Sequence, residues 1–209
     1  RLINNLKISA FMEKSAAPVR ILKAELTKIR DDALLIGFFK DKLGLSPELK
    51  KLDKEIGYAI SLYIRNNCFK GDKCELRSIF VNKGIKNIAI AGLGEEEKYS
   101  LEVLSNVIAD ASKKLRGNGT ESFSIFLDSF RNSKLSDEEI AEKSALSSLM
   151  GLYQFNDFKT KDRDKIKNIS RITLVTNSNK NFDGQIIYAS AVADAVNKTR
   201  DLVNTPPNV

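Results

Sequence analysis

Four short apolar runs, most of them leading through a turn into an amphipathic helix pattern, restrict this chain to strands backed by helices. The runs are residues 33–39, 87–94, 122–130 and 169–176. Ala33-Leu34-Leu35-Ile36-Gly37-Phe38-Phe39 has no polar alternation and stops at Lys40-Asp41-Lys42. At that length it reads as a strand buried on both faces. Helical spacing places Leu49, Leu52, Ile56, Ala59, Ile60, Tyr63 and Ile64 on one face, and Leu101, Leu104, Val107, Ile108, Ala111 and Leu115 on another. A third helix carries Ile140, Leu146, Leu149, Met150 and Tyr153, and a fourth begins near Asp183 and runs to about Asn204. Strands alternating with helices predict an α/β three-layer sandwich with a mixed, largely parallel sheet covered on both faces. Further strands are expected at residues 6–12, 19–26 and 75–81. The first of these follow one another without a helix, so part of the sheet is expected to be antiparallel there.

Helix boundaries are written locally. Ser46-Pro47-Glu48 supplies a cap, a proline at the first helical position and an acidic residue at the positive end of the dipole. Ser136 with Glu139 three residues on is a capping box. Gly117-Asn118-Gly119 ends the helix before it with residues that accept a left-handed backbone.

Composition removes several chemistries. The chain has no histidine, which excludes a Ser-His or Cys-His catalytic pair within it. Cys68 and Cys74 do not have zinc-site spacing and are expected to be reduced thiols. No apolar run reaches membrane-spanning length, and no leader pattern opens the sequence, so the expected location is the cytoplasm. The formal charge of +7 would favour an acidic partner, but the lysines are dispersed among Asp and Glu, so nucleic acid is not an expected partner.

Gly92-Leu93-Gly94, after a strand and before a helix, invites a phosphate-binding reading. Glu97 stands where that fingerprint needs a third glycine, and Glu95-Glu96-Glu97 would repel an anion. A tight βα turn is the better account. The acidic pairs Asp31-Asp32, Glu138-Glu139 and Asp162/Asp164 lie beside lysines or at element ends and read as solvated surface. Lys73, Lys83 and Lys98 carry no mark of burial. Phe123, Phe126, Phe130, Phe155 and Phe158 read as core or interface rather than a base-stacking platform. No catalytic, cofactor-binding or metal-binding residue is expected in this chain.

The final helix runs into Asn204-Thr205-Pro206-Pro207-Asn208, where the proline pair forces an extended path that reads as a hinge into further chain. Thr199 to Asn208 resembles the interdomain segment of the leucyl aminopeptidase (cytosol aminopeptidase) family. Leu45-Ser46-Pro47, Phe69-Lys70-Gly71, Ile88 to Gly94 and Gly151-Leu152-Tyr153-Gln154-Phe155-Asn156-Asp157-Phe158-Lys159-Thr160 match further motifs in the family's order. The resemblance implies a non-catalytic N-terminal α/β domain with a macro-domain-like fold over residues 1–180. Residues 181–209 would be a linker helix and hinge to a C-terminal catalytic domain. That second domain would supply two divalent metals (zinc or manganese), their Lys, Asp and Glu ligands, and a catalytic Lys and Arg. The implied whole protein is a homo-hexameric metallopeptidase acting on peptides. The alternatives are a macro-like module that binds ADP-ribose near Gly92-Leu93-Gly94, and a nucleic-acid binder.

Overall fold

A computed structural model describes residues 18–161 and 165–206. Among these residues six strands form one sheet: β1 (Val19–Leu22), β2 (Ala33–Phe38), β3 (Leu76–Lys83), β4 (Ile85–Gly92), β5 (Ser122–Phe126) and β6 (Arg171–Val175). Five described α-helices accompany it: α1 (Pro47–Glu55), α2 (Ala59–Arg65), α3 (Leu101–Gly117), α4 (Asp137–Gly151) and α5 (Asp183–Asn204). The strand order is β1-β6-β5-β2-β4-β3. Every neighbouring pair is parallel except β3 with β4. The expected strand at residues 6–12 lies outside the described residues.

The sheet separates two cores. Leu34, Ile36 and Phe38 of β2 face α1 and α2, together with Leu49, Leu52 and Ile60. Ala33 and Leu35 face the opposite way, among Leu104, Ile108, Ile140, Ala145, Ala189 and Ala193 of α3, α4 and α5. Alternate residues of a wholly apolar strand thus feed two apolar layers, which is why β2 shows no polar alternation.

Among the described residues, β1 pairs with β6 and β2 lies between β5 and β4, so β1 and β2 do not meet. The antiparallel pair among these strands is the β3–β4 hairpin, turned at Gly84. A two-strand hairpin needs no crossover helix, and β3 becomes an edge.

Two elements break earlier than periodicity predicts. The helix expected from Pro47 to Ile64 divides at Gly57 and Tyr58, whose φ values are 76° and 61°. The buried Asp53 carboxylate accepts from the Ile60 amide at 2.8 Å and from the Ser61 hydroxyl, so a side chain of α1 caps α2. The strand expected over Ser122 to Phe130 ends at Phe126, and a 3-10 turn follows at Leu127–Phe130. Ser129 donates its hydroxyl to the Phe126 carbonyl and accepts from the Gly37 amide, at 2.7 and 2.9 Å. Phe130 folds back over β2, where a Cβ on Gly37 would stand 2.8 Å from its ring. The expected caps form: Ser46 accepts from the Leu49 amide, and Ser136 and Glu139 close both halves of the capping box.

Candidate functional site

The glycine turn after β4 is held by backbone bonds to the end of β2 and to the loop before β3. The Gly92 amide donates to Glu75 O at 2.7 Å, the Leu93 amide to Phe38 O at 2.9 Å, and the Gly94 amide to Gly71 O at 3.0 Å. All three N–H groups that a phosphate would need are therefore engaged by backbone carbonyls. A Cβ on Gly92 would lie 2.1 Å from Asp72 O, so this glycine serves chain packing. The acidic residues beyond it form a 3-10 turn, Glu96–Lys98, with ion pairs from Glu95 to Lys98 and from Glu96 to Lys42. α3 begins afterwards, capped by Ser100.

Asp31 and Asp32 are not solvated surface, and here the sequence reading is corrected. Asp31 is 3% exposed. Its Oδ1 receives Arg171 Nε and Nη2 at 2.9 and 2.5 Å, and its Oδ2 receives the Ser124 hydroxyl at 2.6 Å. Burial pushes its pKa up, but hydrogen bonds from Ser124, Arg171 and Thr173 and the guanidinium charge outweigh it and hold the carboxyl below its ordinary value. Asp32 takes Lys86 Nζ at 2.7 Å and the amides of Glu121 and Ser122. Its pKa is lowered first by the Lys86 hydrogen bond. The pair ties the starts of β2, β4, β5 and β6 together. Partners up to 140 residues away hold it, so nothing local in the sequence signals the role.

At the opposite ends of the parallel strands, Asp128 accepts from the Thr176 hydroxyl at 2.6 Å and the Asn177 amide at 2.9 Å. Arg131 bridges Asp128 and Asp137, and Lys180 pairs with Glu138 at 3.0 Å. Open α/β sheets receive ligands at this end. Here the charged side chains pair with one another. A third polar cluster joins α4 to α5: the Tyr153 hydroxyl donates to Asp201 Oδ1 at 2.9 Å and accepts from Asn204 Nδ2 at 3.1 Å.

The remaining candidates are dispersed. Lys73 and Lys83 are exposed and Lys98 pairs with Glu95. Asp162 and Asp164 lie outside the described residues. Phe123, Phe126 and Phe130 are core, while Phe155 and Phe158 pack together with ring centroids 5.7 Å apart. Cys68 and Cys74 are free thiols, and burial together with Asp110 pushes Cys74 up. Among the described residues no group of three or more His, Cys, Asp or Glu side chains converges as a metal site. None of their helices is long and apolar enough to cross a membrane.

A mixed sheet with helices on both faces is the macro-like α/β fold. The Trypanosoma brucei macrodomain superposes with a TM-score of 0.60 at 10% identity, covering 81% of this chain and 65% of its own. A tomato leucine aminopeptidase mutant superposes more fully, with a TM-score of 0.79 at 18% identity over 94% of this chain and 40% of its own. In sequence, the probable cytosol aminopeptidase of Alkaliphilus metalliredigens is 26% identical over 196 residues, 91% of this chain and 39% of that protein. Residues 35–162, more than half of the chain, match the model of the cytosol aminopeptidase family, N-terminal domain. The chain belongs to this family, and its matched part is the family's N-terminal domain. It spans about two-fifths of the length of the curated relatives it matches.

Proposed function

We propose that this chain is the non-catalytic N-terminal portion of a metal-dependent leucyl aminopeptidase that releases N-terminal amino acids from peptides. Residues 1–180 form the domain, and residues 181–209 carry the linker helix and the hinge toward a catalytic domain. The observation that carries this reading is the family match over residues 35–162, in a chain that spans only 39% of a matched relative. In this reading the zinc or manganese ions and the peptide chemistry belong to the remainder of the protein. There, two adjacent metals would activate water and polarise the scissile carbonyl. In this reading the chain has a structural or regulatory role, or supports assembly of a cytoplasmic homo-hexamer.

The test is hydrolysis of Leu-p-nitroanilide with manganese or zinc. The full-length protein is expected to cleave it and the purified 209-residue chain is expected not to. Metal-dependent cleavage by the shorter chain, or none by the longer one, would overturn the proposal.

The macro-like fold favours one second reading, an ADP-ribose-binding module. The engaged amides of Gly92, Leu93 and Gly94 and the ion-paired glutamates after them count against that site.

A further inference from the structure

Helix α5 has two apolar faces. The inner one, with Ile186, Ala189 and Ala193, is buried in the core shared with α3 and α4. At about 100° per residue, Ile187, Tyr188, Ala191, Ala195 and Leu202 fall together on the opposite side. All five are exposed, with Ile187 at 70%, Tyr188 at 58% and Leu202 at 71%. Val203, beside them, is 79% exposed. A helix lying on a domain surface ordinarily turns polar residues outward.

The last turn inverts that order outright. Arg200, Asp201 and Asn204 point inward to Tyr153, whose hydroxyl bonds Asp201 and Asn204. The Arg200 guanidinium lies 5.3 Å from the Tyr153 ring centroid and donates to Met150 O at 3.2 Å. The Thr205 amide and hydroxyl both return to Asp201 O, closing the helix. With its polar side chains clasped inward, the turn holds Leu202 and Val203 outward.

We propose that this outer face of α5 is the docking surface for the polypeptide that continues past the helix, with the Tyr153 clasp fixing how the face is presented. The inference rests on the reading of the chain as an N-terminal domain. The stripe runs from Ile187 to Ala195, is crossed by exposed Lys198, and resumes at Leu202 in the last turn, so that its most exposed apolar residues lie where the continuing chain would begin. A tethered partner works at millimolar effective concentration, so a narrow stripe suffices. Two free copies would need some 20–30 residues a side for a stable dimer, far more than one helix face offers.

Hydroxyl-radical footprinting of the full-length protein beside the 209-residue chain tests this, with exposed Phe80 on β3 as the reference. Labelling of Ile187, Tyr188, Leu202 and Val203 is expected to fall at least fivefold in the full-length protein, and that of Phe80 to stay constant. Equal labelling in both proteins would overturn the proposal. Protection that the 209-residue chain acquires with rising concentration, or that the full-length protein loses on dilution to monomer, would assign the face to a second copy and also overturn it. Leu202→Asp is expected to leave the melting temperature of the 209-residue chain unchanged and to speed proteolysis after residue 204 at least fivefold in the full-length protein. An unchanged proteolysis rate would count against the docking. Peptidase activity of the same full-length sample separates the two ideas. Activity without protection refutes the docking alone, and protection without activity refutes the peptidase reading alone.

Discussion

Replacing Asp31 by alanine tests the claim that this residue ties the sheet together. The change removes two guanidinium hydrogen bonds and the Ser124 bond, and strands a fully buried hydroxyl. An unpaired buried hydroxyl costs about 1–3 kcal/mol. The ion pair contributes less than the 3–5 kcal/mol of a fully buried one, because the Arg171 side chain is 40% exposed and returns to water. About 1 kcal/mol is a fair share for such a half-solvated pair. The total is about 3 kcal/mol, or roughly 6–12 °C in melting temperature for a domain of this size. Asp31→Asn keeps one acceptor and should lose about half as much. The pH dependence follows from the lowered pKa. The charged form is favoured in the folded state, so its stabilisation is complete above the unfolded value near 3.9 and is lost as pH falls through the lower folded value. Urea unfolding at pH 7 and below pH 3 reads both effects, and the gap between wild type and Asp31→Ala should narrow at low pH. A loss under 1 kcal/mol at pH 7, or a gap that widens on acidification, would refute the reasoning.

Gly92→Ala drives a methyl group into the Asp72 carbonyl and should cost about 3 kcal/mol or leave the chain insoluble; thermal melting decides. Ser136→Ala opens the capping box of α4 and should cost about 1 kcal/mol by urea titration. Calorimetry with millimolar ADP-ribose should give no heat, and measurable binding would show that the amides at the glycine turn are released for a ligand. Tyr153→Phe removes the bonds to Asp201 and Asn204 and should raise amide exchange at residues 200–206 about tenfold, with the sheet unaffected.

The features legible in the sequence are those set by neighbours within a turn or two. Ser46-Pro47 and Ser136 with Glu139 start helices where they were expected, because a cap is a bond across three residues. The apolar run at Ala33 is a strand buried on both faces for the same kind of reason: its composition leaves no face for water. The glycine turn was legible as a turn. Engagement of its three amides required Phe38, Gly71 and Glu75 to be brought to it.

By itself the sequence determined the element types, their caps, the α/β class and, through ordered motifs, the family. The tertiary structure decided the rest: which strand lies at the edge, that Asp31 is a buried tie rather than surface, that Asp53 caps a helix it does not belong to, and that α5 turns Leu202 outward. Each of these depends on a partner outside the residue's own turn, 140 residues away for Asp31 and 48 for the Tyr153 clasp. A carboxylate beside a lysine reads the same in sequence whether it faces water or an arginine from the far side of the sheet. Only the folded chain chooses between those environments.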